Sequence, residues 1–295
     1  MTTMNGIRTV AVLGAGIMGR GIIANLQQAG YALRLYNRTR ARLDGLATPR
    51  DTVCATPAEA AEGADAVLSV VADAAASREV WLGRHGALTT MVDGSVGVEI
   101  STLSAEWARQ WHEAVTARGA GAAVAPVTGS RPGAEAGTLI VFAGGADIVL
   151  DRLEPVFSAI GQKVIRMGGI PEAVGFKLVY NMLCGTILVA AAEALSLAES
   201  LGLAPAHVTA ILSAHGWGAG VATSKGRNMT EAHFTDVECA VGTLSKDLAY
   251  ALRARPGGAP PLLVSQRAQQ QLNRACDEGM ADWDMAAVKA VYRAR

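Results

Sequence analysis

Up to about residue 166 the chain alternates short apolar runs with stretches whose apolar residues recur at helical spacing; beyond Pro171 only the helical spacing persists. Residues 9–13 form the first apolar run. Ile22, Ile23, Leu26 and Ala29 then repeat at helical period until Gly30, which closes a helix. Further strands are predicted over 32–36, 66–71, 90–93, 122–125, 139–142 and 163–166, with helices starting at Thr56-Pro57 and running from Ala74 to Leu82. Such alternation predicts a Rossmann-type, doubly wound, mainly parallel sheet. The second half predicts an all-α domain. Its long first helix spans 172–201 and is ended by Gly202, and others start at Pro205 and cover 235–253, 261–278 and 284–293, with a turn at 256–261. The expected domains are residues 1–168 and 169–295, with the active site in the cleft between them.

The first strand runs into Gly14, Gly16 and Gly19, a G-x-G-x-x-G spacing that includes Ile17 and Met18. Gly14 permits a tight turn, Gly16 lets backbone approach a pyrophosphate, and Gly19 lets helix and strand pack closely. The second strand ends in Tyr36-Asn37-Arg38-Thr39-Arg40, with no acid where an NAD-specific site places one. Asn37 can bond a ribose hydroxyl, Arg38 can grip a 2′-phosphate in a fork, and Thr39 can donate its hydroxyl, so NADP(H) is the expected cofactor. Solvated arginines would give the same pattern. Val71, Ala72 and Asp73, at the end of the strand predicted over 66–71, are read as cofactor-facing. A cap on the following helix competes with that reading for Asp73.

Composition narrows the class further. Among 295 residues, 26 basic and 26 acidic side chains cancel, and 51% of the chain is apolar. No basic tract suggests nucleic acid or an anionic membrane as partner. The N-terminus leaves no room for a signal peptide before the first strand, which points to a cytoplasmic protein. The apolar stretch 182–198 is interrupted by Glu193 and reads as a buried helix rather than a membrane span. Cys54, Cys184, Cys239 and Cys276 are far apart, as reduced thiols would be. His85, His112, His207, His215 and His233 lack metal-ligand spacing, so no metal is expected; His215 and Trp217 are weighed as cleft-lining residues.

Four further segments carry chemistry: 99–102 with Ser101 and Thr102, 125–139 with Thr128, Gly129 and Ser130, 175–181 with Lys177 and Asn181, and 246–251 with Lys246 and Asp247. Lys177 and Asn181 share a helix face, where an ammonium could protonate a developing alkoxide and an amide could hold its oxygen. A solvated lysine and a surface asparagine would give the same spacing. Thr128, Gly129 and Ser130 offer hydroxyls and backbone N–H groups suited to a carboxylate, or form an ordinary turn.

The order and spacing of these segments, extending to 282–286, resemble the β-hydroxyacid dehydrogenase family, relatives of 3-hydroxyisobutyrate dehydrogenase and of NADPH-dependent glyoxylate and succinic semialdehyde reductases. The resemblance spans essentially the whole chain. It implies an NADPH-preferring enzyme that reduces a small aldehydo- or ketoacid, or oxidises the hydroxyacid, as a homodimer or homotetramer. It implies Lys177 as acid/base, oriented by Asn181, and Thr128, Gly129 and Ser130 at the substrate's acid group. Ser101 and Thr102 would lie by the nicotinamide, Lys246 would reach cofactor or substrate carboxylate, and Asp247 would support the site. Glu99 replaces the family's usual Asp, a change expected to leave the hydroxyl pair unaffected. Cys239 stands where the family commonly carries a pocket Phe, so relatives' substrates do not transfer. Two other readings stand beside this one: an imine reductase of the same fold, and a non-catalytic nucleotide-binding regulator.

Overall fold

The computed structural model describes residues 6–215, 218–259 and 261–292. They fall into two compact units, Met1–Lys177 and Leu178–Arg295.

In the first unit the apolar runs become strands: β1 (Thr9–Leu13), β2 (Ala32–Tyr36), β3 (Thr52–Val53), β4 (Ala66–Ser69), β5 (Val96–Glu99), β6 (Gly121–Val124), β7 (Val127–Thr128), β8 (Leu139–Gly145) and β9 (Gly161–Gly168). Between them run α1 (Ile17–Gln28), α2 (Pro57–Ala61), α3 (Ala74–Leu82), α4 (Ala105–Thr116), α5 (Ser130–Ala136) and α6 (Asp147–Ile160). The nine-stranded sheet is ordered β3-β2-β1-β4-β5-β6-β8-β7, with β9 added beside β8. Strands β3 to β6 on this path are parallel, and β8 pairs antiparallel with β6 and β7. The strand order reverses between β1 and β4. That switch point opens a crevice outside the carboxyl ends of the strands, where an open α/β sheet takes its ligand.

The core is built from the alternating strand and helix faces. Val10, Val12, Leu33, Leu35, Leu68 and Val98 pack with Ile22, Ile23 and Leu26 of α1. On the other side Trp81 and Trp111 meet edge to face at 5.5 Å. Close backbone contact joins α1 to α5: a Cβ on Gly21 would lie 2.5 Å from the Ala134 carbonyl oxygen, and Asn25 Nδ2 donates to that oxygen at 2.7 Å. The crossing holds the start of α5 in place.

Residues 90–93 are not a strand. They follow a 3₁₀ turn at Ala87–Thr89, Val92 is exposed, and Gly94 takes a left-handed φ of 77°. The strand comes later, at β5, whose pattern is broken by Gly97 and by a buried Glu99 that ends the strand rather than following it. A Cβ on Gly97 would lie 3.2 Å from Val115 and 3.3 Å from Trp81.

The helical half comprises α7 (Ile170–Ser200), α8 (Pro205–Ala214), α9 (Ala219–Val221), a π-turn at Ala222–Gly226, α10 (Arg227–Thr230), α11 (Val241–Ala254), α12 (Leu263–Ala275) and a 3₁₀ stretch, Met285–Tyr292. Trp217 and Pro260 lie outside the described residues. The helix expected from residue 235 starts only at Val241. Before it, Ala240 forms an antiparallel bridge with Asp284, so backbone pairing captures the segment.

The long helix is not buried as expected from its composition. Leu188, Val189, Ala192 and Leu195 pack into the second core, but Val179, Leu183 and Leu197 are each more than half exposed. By length and composition 170–199 could cross a membrane, although a third of its most apolar window is buried within the chain.

Candidate active site

The glycine turn has the geometry its sequence spacing requires. Gly14 takes φ 120°, and a Cβ there would lie 2.2 Å from the Val70 carbonyl oxygen; a Cβ on Gly19 would lie 2.2 Å from the Gly14 carbonyl oxygen. Above Gly16, in contrast, space is open. Gly16 also starts α1 without a side-chain cap and no acid sits in the first turn, which leaves the helix N-terminus suited to an anion. Met18 is half-buried against the core, and Ile17 is exposed at the turn. This cradle fits a dinucleotide pyrophosphate.

Asn37 is tied into the turn itself. Its Oδ1 accepts the Ala15 N–H at 2.9 Å, and its Nδ2 donates to the Thr39 carbonyl at 2.8 Å. Its acceptor is therefore engaged in holding the glycine loop against the end of β2, leaving one amide hydrogen for a ribose. Arg38 and Thr39 are exposed beside it, and Arg20 donates to the Arg42 carbonyl at 3.2 Å.

At the ends of β4 and β5, Ser101 is a strut. Its Oγ accepts the Val71 N–H at 3.0 Å and donates to the Ser69 carbonyl at 3.4 Å, which fixes Val71 and the exposed Ala72 beyond it. Thr102 is half-buried next to it. The Asp73 Oδ1 accepts the Ala76 N–H at 2.8 Å, so Asp73 caps α3. Behind these residues lies Glu99, fully buried. Burial pushes its carboxyl up to about 7, opposed only in part by the polar side chains of Ser69, Trp81, Ser77 and Ser101.

Thr128 ends β7 and leads into the loop that opens α5. Gly129 takes φ 127° and Ser130 a left-handed φ of 52°, one of two described non-glycine residues with positive φ. Such strain persists only where surroundings enforce it, and it is characteristic of ligand sites. The crossing of α5 on α1 supplies that enforcement.

The helix α7 begins tightly against β8, since a Cβ on Gly144 would lie 2.6 Å from Ala173 Cβ. Lys177, one turn on, is 6% exposed, which removes the solvated-lysine alternative. Farther along α7, Asn181 Nδ2 donates to Asp247 Oδ2 at 2.6 Å. Asp247 is buried, and its Oδ1 lies 2.8 Å from Lys246 Nζ without receiving a directed hydrogen bond, so that contact is one of charge. Asn181, Lys246 and Asp247 thus form one cluster. Cys239 is half-buried in the segment before α11, and its carbonyl accepts the Met285 N–H at 2.8 Å.

One buried charge cluster is not foreseen in the sequence. Lys225 Nζ contacts Glu238 Oε2 at 2.8 Å and Asp284 Oδ2 at 3.1 Å, and the Glu238 N–H donates to the same Asp284 oxygen. Burial alone would pull the Lys225 ammonium down, but Glu238 and Asp284 more than offset it and hold it above its ordinary value. The cluster anchors the segment that carries Cys239. A lone Lys225 reads as a solvated charge; its partners stand 13 and 59 positions away.

Glu99 gives a pH test of this geometry. Folded, its carboxyl keeps the proton up to about pH 7, whereas in the unfolded chain it loses it near its ordinary 4.5. Between these values the folded state binds more proton, so stability falls as pH rises: the contribution is complete below 4.5 and gone above 7. The loss is on the order of 3 kcal/mol. Glu99→Gln, neutral throughout, is expected to match the unmutated protein near pH 5 and to exceed its denaturant midpoint at pH 8. An unchanged slope would mean that the carboxyl titrates alike in both states.

Two family patterns cover the chain. The NAD binding domain of 6-phosphogluconate dehydrogenase matches residues 9–169, and the NAD-binding domain of NADP-dependent 3-hydroxyisobutyrate dehydrogenase matches 172–292. Glyoxylate/succinic semialdehyde reductase 1 of Arabidopsis thaliana is 28% identical over 279 residues, 95% of this chain and 96% of that protein. The solved 3-hydroxyisobutyrate dehydrogenase of Salmonella typhimurium superposes with a TM-score of 0.86 at 26% identity, covering 96% of this chain and 99% of that one. That of Mycobacterium tuberculosis, solved with L-serine, gives 0.83 at 26% identity over 98% and 100%. With its glycine cradle, sheet order and both matched domains, the chain belongs to the β-hydroxyacid dehydrogenase family, NAD(P)-dependent enzymes acting on the CH–OH group of hydroxyacids.

Proposed function

We propose that the protein is an NADPH-preferring reductase of a small aldehydo- or ketoacid, or works in the reverse direction, with Lys177 as general acid/base. The observation that carries this reading is the buried Lys177 on α7 together with Asn181, whose amide is fixed by the buried Asp247. Burying a lysine side chain costs its hydration, and a buried lysine beside fixed polar groups is a candidate for proton transfer. The turn at Gly14, Gly16 and Gly19 would hold the cofactor, whose nicotinamide would supply the hydride to the carbonyl carbon. Lys177 Nζ gives a proton to the oxygen that becomes the alkoxide, the Asn181 amide orients that oxygen, and the strained loop at Thr128, Gly129 and Ser130 receives the substrate carboxylate.

Lys177→Ala is expected to lower kcat at least about a hundredfold while leaving NADPH binding nearly intact, the scale of losing a positioned acid. Near-native turnover would remove Lys177 from the mechanism. Assays across oxoacids, neutral carbonyls and imines separate the proposed activity from imine reduction; tight cofactor binding without turnover on any of them would indicate a regulator.

Cofactor preference rests on the acid-free segment after β2. Arg38 lies exposed there and can pair with a 2′-phosphate, as the guanidinium fork allows. We expect kcat/KM with NADPH to exceed that with NADH by about tenfold or more, and Arg38→Ala to erase roughly 1.5–3 kcal/mol of that preference. Equal efficiency with both cofactors contradicts the assignment.

The apolar stripe Val179, Leu183 and Ile187 on α7 is exposed in the single chain and would be covered by a second copy in a homodimer or homotetramer. Lipid is a poor occupant, because the same helix carries Lys177, Asn181 and Glu193. Light scattering is expected to give a dimer or tetramer that Leu183→Glu dissociates; a monomeric unmutated protein contradicts this.

A further inference from the structure

Glu99 is a buried titratable group for which the proposed reaction has no use. It ends β5, is register partner of Ser69 across the β4–β5 ladder, and both side chains are fully buried. Its Oε1 accepts from Ser77 Oγ at 3.0 Å and from Trp81 Nε1 at 2.7 Å, and Ser77 Oγ itself accepts from Trp107 Nε1 at 2.7 Å. One oxygen is therefore well served. The other, Oε2, makes no well-directed hydrogen bond, and neither does Ser69 Oγ, although Ser69 and Ser101 lie near enough to act on the carboxyl. Ser69 Oγ can donate to Oε2 of a carboxylate or accept from Oε2 of the neutral acid, so either form can be paired, and it is complete burial that favours the neutral one. Ser101, two residues on, clasps Val71 and Ser69 at the edge read above as the nicotinamide end of the site.

We propose that the ionisation of Glu99 sets the protein's relative affinity for oxidised and reduced cofactor: as the neutral acid it favours neither, and as the carboxylate it favours the cationic nicotinamide of NADP⁺ over the uncharged ring of NADPH. The inference rests on the cofactor reading of that edge. The groups that face the carboxyl are Ser69 from β4, Ser77 and Trp81 from α3, and Ser101 after β5, with Trp107 of α4 behind Ser77; none carries a charge. A charge appearing in such a buried, uncharged pocket is weakly screened and acts over the length of a few residues. Because burial brings the carboxyl to about 7, the change falls at neutral pH. The phosphates are the same in both cofactor forms, so their titration cancels from the ratio of affinities. Linkage requires the reciprocal effect: NADP⁺ binding near pH 7 drives a proton off Glu99, and NADPH binding does not.

The test is binding rather than turnover. NADPH is titrated by its own fluorescence and NADP⁺ by displacement of NADPH, at pH 6 and pH 8, with the unmutated protein and with Glu99→Gln, which keeps both hydrogen-bonding ends but cannot ionise. The ratio of affinities is expected to move toward NADP⁺ by roughly fivefold between the two pH values, the low end of coupling between sites, and to stay constant in the variant. Calorimetry on the unmutated protein in buffers of different ionisation enthalpy is expected to show more proton release with NADP⁺ than with NADPH. This second measurement needs no variant. A ratio independent of pH, an unchanged pH dependence in Glu99→Gln, or equal proton release for both forms overturns the proposal while leaving the cofactor site standing. Failure of either form to bind overturns the cofactor reading, and this inference with it.

Discussion

The backbone crossing at Gly14 is the constraint on which the nucleotide half depends. With a Cβ there at 2.2 Å from the Val70 carbonyl, any other residue would push β1 away from the end of β4, and Gly19 closes the same turn at equal distance from Gly14. Everything that makes the crevice chemically useful hangs from this contact. Asn37 can reach Ala15 only because β2 ends beside the turn, and Ser101 can hold Val71 only because β4 ends beneath it. The open space over Gly16 is the complement of those two contacts: backbone is crowded on the sheet side and bare on the side where a phosphate would rest.

Buried polar groups do the corresponding work in the helical half. Asn181 and Lys246 converge on Asp247, and Lys225 and Glu238 converge on Asp284. Neither cluster is an efficient source of stability, since removing charges from water offsets most of the attraction. What they supply is definition. The first fixes the amide on α7, and the second fixes the segment ahead of α11, including Cys239, where a backbone bridge to Asp284 replaces helix.

The sheet was largely legible from sequence because parallel strands buried on both faces read as apolar runs, and the glycine turn because its spacing has one geometric solution. Where reading failed, a local pattern was overridden by distant partners. Met91 and Val92 resemble a strand, yet the strand is the one containing Gly97 and Glu99, residues that make sense only once Trp81, Val115 and Ser77 stand against them. Glu99 was expected to leave the hydroxyl pair Ser101 and Thr102 unaffected, whereas it lies behind Ser101 in the same polar pocket. Residues 235–240 have helical composition, but their backbone pairs with a segment nearly fifty positions on. For α7, composition pointed to burial, and the chain alone leaves much of its apolar face exposed.

The most direct test of the account is to follow the hydride. NADPH carrying deuterium at both C4 positions is incubated with the protein and a panel of small aldehydo- and ketoacids, and the products are examined by mass spectrometry and NMR. The expected result is that at least one oxoacid becomes a hydroxyacid carrying a single deuterium on the new CH–OH carbon, with no label when unlabelled NADPH replaces the deuterated cofactor. Stoichiometric NADPH binding with no deuterium transferred to any oxoacid would contradict it.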